Sequence, residues 1–169
     1  MSIFQYKKAI VAASRKHIID ESIPRIRQCL FELTEEQIWH KANSNTNTVG
    51  NLVLHLCGNV RQWIMHGLDG QHDVRRRSLE FSEEGSLPRK VLLNQLNIIM
   101  HDLDASLGRI VDKDLLEVKT IQKHFNESGV SILFHVAEHF SYHTGQITYF
   151  TKMVKDIYTA YYEIGRAHV

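Results

Sequence analysis

The stretch Ser128–Val154, SGVSILFHVAEHFSYHTGQITYFTKMV, decides how this chain reads. Its apolar periodicity is that of one long α-helix. Inside it stands His135-Val-Ala-Glu-His139-Phe-Ser-Tyr-His143-Thr-Gly-Gln146. His135, His139 and His143 recur at steps of four, so at 3.6 residues per turn they climb one face, each imidazole above the last. That face holds no carboxylate, so the histidines have no obvious ion-pair role there. Two imidazoles at i, i+4 can reach one ion at about 2.0–2.1 Å.

Working outward, the same periodicity covers most of the chain. A first helix is expected from about Phe4 to Leu33, with Ile19, Ile23, Ile26, Leu30 and Leu33 on one stripe. Pro24 predicts a kink or break near Asp20–Ser22, because proline lacks the N–H that the helix ladder needs. Thr34-Glu-Glu-Gln has the form of a capping box opening a short turn through Trp39. Thr48 suits the N-cap of a second helix, Val49 to His66, closed by Gly67 and Gly70. Residues 70–86 read as a long polar connection, with Arg75-Arg76-Arg77 as a solvated charge run. Pro88 fits the start of a third helix reaching Val111, striped by Leu92, Leu96, Ile99, Leu103, Leu107 and Ile110. Asp112 to Asn126 reads as one helical turn and then extended chain, with Glu117–Ile121 as the one strand candidate. A Tyr-rich tail, Ile157 to Val169, ends the sequence. Four amphipathic helices joined by connections of unequal length describe an all-α helical bundle.

Composition sets the frame. The 169 residues are 43% hydrophobic and 23% charged, which suits one globular domain spanning residues 1–169. A chain of this length buries roughly 70% of its unfolded surface, so it needs neither disulfides nor a structural metal to fold. A net charge of +1 gives no reason to expect a nucleic-acid partner. No stretch approaches the ~18 apolar residues of a membrane span, and the N-terminus has no signal-peptide pattern. Two distant cysteines, Cys29 and Cys57, suggest buried thiols in a reducing compartment. These features predict a cytoplasmic protein. Eleven histidines are the unusual count.

The second helix supplies a further ligand candidate. Asn51, His55 and Asn59 are spaced at four among Leu52, Leu54 and Leu56. A lone histidine on such a helix is more often a hydrogen-bonded core residue than a ligand. If the second and fourth helices face each other, however, His55 meets His139 and His143 inside the bundle, where bundle proteins build metal sites. Asn51, Asn59 and Gln146 would then support the ligands or meet substrate. Other metal chemistries fail on spacing. Glu138 precedes the histidine pair, so a zincin His-Glu-x-x-His is absent, and no Glu-x-x-His exists for a di-iron carboxylate site.

Thr48-Val-Gly-Asn-Leu-Val-Leu-His55, together with His139-x-x-x-His143-Thr-Gly-Gln146, resembles the DinB/YfiT-like superfamily, over roughly residues 5–155. The resemblance implies an up-down-down-up four-helix bundle, often a homodimer, with one divalent metal on His55, His139 and His143. It moves His135 to a supporting role. Relatives with known activity include thiol-dependent transferases and a maleylpyruvate isomerase that use low-molecular-weight thiols such as bacillithiol or mycothiol. Three neutral imidazoles leave coordination positions open, the pattern of a catalytic site. A thiol-dependent S-transferase, a metal-dependent hydrolase and a non-catalytic metal-binding helical dimer all remain compatible with the residues. All-imidazole donors suit several ions, with zinc or nickel expected.

Overall fold

The computed structural model describes residues 3–161. The chain opens with α1 (Ile3–Arg15), a π-helical turn (Lys16–Ser22) and α2 (Ile23–Glu32), which together make the first long helical segment. The break expected from Pro24 takes this form. Widening the ladder to i−5 lets the Ile23 N–H reach the Ile18 carbonyl while Pro24 falls in the first turn of α2. Ser22 Oγ donates to the His17 carbonyl at 2.7 Å and satisfies an oxygen freed by the change of pitch. A short α3 (Glu35–Ile38) follows, closed at its start by the Thr34–Gln37 capping box.

The second long segment is α4 (Val49–Val60) continued by a π-helical turn (Arg61–His66), with Thr48 as N-cap. The connection after it is more structured than its polarity suggests. It contains α5 (Arg77–Ser82), and Glu80 on that helix is buried at 8% exposure. The third segment is α6 (Arg89–Arg109), with Pro88 at its N-cap. One helical turn, α7 (Asp112–Leu116), leads to the strands β1 (Val118–Ile121) and β2 (Phe125–Ser128). These strands pair antiparallel, Val118 opposite Ser128 and Ile121 opposite Phe125, through a turn in which Gln122 and Lys123 take positive φ. The chain is therefore mostly helical with one small hairpin. The fourth segment is α8 (Gly129–Lys155), capped by Ser128 Oγ on the Ser131 N–H.

The predicted stripes meet in one core. Ile23, Ile26 and Leu30 join Val53, Leu56 and Val60, then Leu92, Leu96 and Ile99, then Ile132, Val136 and Phe140, all at 0% exposure. Each such aliphatic side chain contributes about 1.5–3 kcal/mol on leaving water. Both α8 and α6 pack on α2 and on α4. The contact between α4 and α8 matters most, because it turns the His55 face toward the His139 and His143 face. Among the described residues, no helix is long and apolar enough to cross a membrane. The end of the tail, residues 162–169 with His168, lies outside the described residues.

Candidate metal centre

His55 occupies the second turn of α4, and its position is set from the helix start. Thr48 Oγ1 accepts from the Asn51 N–H at 3.0 Å, and Asn51 Oδ1 accepts from the Thr48 N–H at 3.2 Å. The Asn51 amide then donates to the carbonyls of Glu80 and Glu83, at 3.0 and 2.9 Å. Asn51 thus spends its bonding capacity on the cap and on pinning α5 against α4. It braces the site and is not part of the wall of the cleft.

Pinned there, Glu80 reaches His55. Its Oε2 lies 2.9 Å from His55 Nδ1, and Arg75 grips the same carboxylate through Nε at 2.7 Å and Nη2 at 2.9 Å. The Arg75 and Glu80 side chains are 2% and 9% exposed, so this is a buried, forked ion pair. Burial alone would raise the Glu80 pKa, but the bonds from Arg75 and His55 outweigh it and hold the carboxyl below its ordinary range. Arg75 Nη2 also sits 3.0 Å from His55 Nδ1. That guanidinium nitrogen already donates to Glu80 Oε2 at 2.9 Å and needs no second acceptor, whereas the carboxylate only accepts, so the proton is assigned to Nδ1 and donated to Glu80. His55 Nε2 is then a lone pair aimed into the helix interface.

It meets His139 there, with the two Nε2 atoms 2.8 Å apart. His143, one turn along α8, directs Nδ1 at Gln146 Oε1 at 2.7 Å, which places its proton on Nδ1 and its lone pair on Nε2. The ring centroids of His55, His139 and His143 stand 4.5–5.3 Å apart, and their ligand atoms all lie within 4.8 Å of one another. Burial, then the neighbouring His143, His55 and His135, push the His139 imidazole down to about 3. Burial also lowers His143. Both are neutral at ordinary pH, the state in which imidazole binds a metal.

The donor set fits a divalent cation. Without one, the 2.8 Å approach of two Nε2 atoms needs a proton on one of them, which removes that lone pair. A cation satisfies both lone pairs. Nitrogens about 2.0–2.1 Å from a shared ion are spread by roughly 2.9–3.3 Å for angles between 90° and tetrahedral, so this pair is already close to ligating distance. Each of His55 and His143 also presents its other ring nitrogen to an oxygen acceptor, the arrangement that orients ligating histidines.

His135 lies outside this trio. Its ring packs on Trp63 at 4.0 Å and on His139 at 5.5 Å, so it walls the site and does not join the cluster. A cleft of about 750 Å³ opens over His55 and His139, bordered by His135, Trp63 and Asn59. Cys57, two residues past His55, points elsewhere, and burial pushes its thiol up to about 12.

Two residues of this centre, Arg75 and Glu80, escaped the sequence reading. Arg75 is not a member of a solvated charge run; Arg76 and Arg77 are exposed, while Arg75 turns inward to Glu80. One signal was present. Gly58 interrupts an apolar helix three residues after His55, and a Cβ there would stand 2.0 Å from Glu80 Oε1. A glycine inside a helix can mark a close approach of this kind.

A family model described as a protein of unknown function (DUF1572) matches residues 8–167. The chain belongs to the DUF1572 family. No curated protein matches it. The DUF1572 match extends across all four long helical segments and so includes every residue of the histidine cluster and of the Arg75–Glu80 pair.

Proposed function

We propose that this DUF1572 protein is a metal-dependent enzyme that holds one divalent ion, zinc or nickel, on His55, His139 and His143 and acts on a small molecule in the adjoining cleft. The observation that carries this reading is the pairing of two oriented imidazoles, His55 on Glu80 and His143 on Gln146, around His139 at the floor of an open cleft. A purely structural clip has no need of an open side. When bound, the ion supplies positive charge that stabilises an anionic sulfur or oxygen on the reacting molecule.

The chain's own residues have distinct tasks in this reading. Glu80 and Gln146 fix the tautomers, Arg75 keeps Glu80 ionised, and Trp63 with His135 shields one side from water. Thiol-dependent S-transfer is the preferred reaction, following the resemblance to the DinB/YfiT-like superfamily. Both cysteines are buried, so the sulfur nucleophile comes from a low-molecular-weight thiol. Its sulfur forms the new bond to an electrophilic carbon, the leaving group departs with its electron pair, and the thiol proton passes to solvent. An up-down-down-up four-helix bundle, one domain and a homodimer in the cytoplasm complete the reading.

Elemental analysis of untagged protein, with a His139→Ala variant in parallel, tests it. About one equivalent of metal in the parent and almost none in a folded variant is the expected result. A folded parent that retains no metal after dialysis against zinc and nickel removes the proposal. With metal in place, a panel of small thiols separates transfer from hydrolysis, since only transfer consumes the thiol.

A further inference from the structure

Among the described residues nothing covers the outward face of α8. Phe134, Tyr142, Tyr149 and Met153 are 60–73% exposed there. At 3.6 residues per turn they share one arc of about 100°, opposite the buried Val136, Phe140 and Ile147. The 27 residues of this helix include one carboxylate, Glu138, and two lysines, Lys152 and Lys155. A solvent face ordinarily carries charge where this one carries rings, and an apolar patch of that kind marks a contact surface.

Two further features say what covers it. Gly145 lies on the same arc, and a Cβ there would meet nothing within 4 Å beyond its own turn of helix. Its φ is not positive, so the chain alone gives no reason for glycine in place of a better helix former. A second backbone passing closely at this point does give one. Glu138 and Lys152 stand seven residues to either side of Gly145, also on the arc. Neither forms an ion pair among the described residues. Such a face is complementary to its own reverse. Laid antiparallel about a twofold axis at Gly145, Glu138 meets Lys152 of the partner subunit, and Tyr142 comes beside Tyr149 of the partner subunit. A parallel pair would set like charge against like.

We propose that α8 pairs antiparallel with α8 of a second copy of this chain, crossing at Gly145. Phe134 and Glu138 border the cleft over His55 and His139, so in this pairing Lys152 of the partner subunit forms part of its rim and each cleft is completed by the other copy. A role for that rim in the reaction rests on the metal-dependent reading above; the pairing itself needs no metal.

Analytical ultracentrifugation of the full, metal-free chain tests the pairing, and the parent is expected to sediment as a dimer. Glu138→Lys and Lys152→Glu, both at exposed positions, should each weaken it by at least about tenfold, because like charges then meet at both symmetric contacts. The double variant Glu138→Lys/Lys152→Glu should restore it. Glu138→Cys/Lys152→Cys should form intermolecular disulfides on mild oxidation while neither single variant does. The two positions lie about 21 Å apart along one helix and cannot bridge within a chain, and Cys29 and Cys57 are buried. A monomeric parent overturns the proposal. So does a dimer that the charge changes leave equally strong, whose interface lies elsewhere, or a double variant no stronger than the singles. Because these measurements contain no metal, a failure of the protein to retain zinc counts against the metal centre alone.

Discussion

Replacing Glu80 by Gln separates the two roles of the buried carboxylate. The parent holds a guanidinium at 2% exposure against a carboxylate at 9%, with two bonds of 2.7 and 2.9 Å. Glu80→Gln keeps the shape and removes the charge. Arg75 then remains buried with neutral acceptors, chiefly Gln62 Oε1 at 3.0 Å. Breaking a buried pair by removing one partner costs about 3–5 kcal/mol. The retained amide and the Gln62 bond place this case near the lower end, about 3 kcal/mol. At about 2–4 °C per kcal/mol for a chain of this size, the melting temperature should fall by roughly 6–12 °C. Urea unfolding in the presence of a chelator measures the effect without metal linkage.

The double variant Arg75→Met/Glu80→Leu should recover most of that loss, since removing both charges removes the desolvation cost as well. In the same Glu80→Gln protein, metal affinity should drop by about 10–100-fold, because an amide can present either a donor or an acceptor to His55 Nδ1 and no longer fixes its tautomer. A Glu80→Gln protein within about 1 kcal/mol of the parent would refute the reasoning, as would a double variant no more stable than the single one. Either result would mean that the pair is solvated in solution and that His55 is oriented by something else.

Three further outcomes follow from the same geometry. Gly58→Ala places a Cβ 2.0 Å from Glu80 Oε1 and 3.0 Å from Arg75 Nε, so despite alanine's better helix propensity it should destabilise by about 1–3 kcal/mol in urea melts. Asp69 accepts from Arg109 at 2.9 and 2.6 Å, and from Gln71 and Ser106, which holds its carboxyl down at about 2. A folded pKa below the unfolded one gives stability that is full above the ordinary carboxylate range and lost as pH falls toward 2. Asp69→Asn should therefore cost about 1–2 kcal/mol at pH 7, discounted because Arg109 is half exposed, and the gap to the parent should narrow by pH 3. For His139, burial depresses the folded imidazole to about 3, so the unfolded chain binds the extra proton first. Its contribution is complete above the ordinary histidine range and declines as pH drops from there toward 3. The metal-free parent should lose stability more steeply between pH 6.5 and 4 than His139→Ala, as read from urea midpoints; equal slopes would show that His139 is solvated.

The helices and the His139–His143 pair were legible because both rest on local periodicity. Steps of three and four fix which side chains share a face, so Ile23, Ile26 and Leu30 could be placed in a core, and His139 beside His143, before any contact was known. Two caps, Thr34 and Thr48, were readable for the same reason, since a capping box is closed within four residues. What the sequence left open was long-range. Nothing in the order of residues states that α4 faces α8, and His55 alone on an apolar helix looked like a core histidine until that contact joined it to His139.

Arg75 and Glu80 were hidden for a different reason. A charge run is read as solvated because isolated charges avoid burial, and the exception arises only when a partner of opposite sign is buried with it. That partner lay five residues away in a segment whose polarity masked α5, and what draws α5 inward is the Asn51 amide reaching the carbonyls of Glu80 and Glu83. The Asn51 side chain therefore links the legible and the illegible parts of the site: it caps the helix that carries His55 and positions the carboxylate that orients it. Asn51→Ala should then act at both levels. It should cost about 1–3 kcal/mol, because the Glu80 and Glu83 carbonyls lose their donor. It should also release Glu80 from His55 and weaken zinc binding beyond what the stability loss accounts for. Zinc titrations at a urea concentration where both proteins remain folded separate the two effects, and an unchanged zinc affinity in Asn51→Ala would show that Glu80 is held by Arg75 alone.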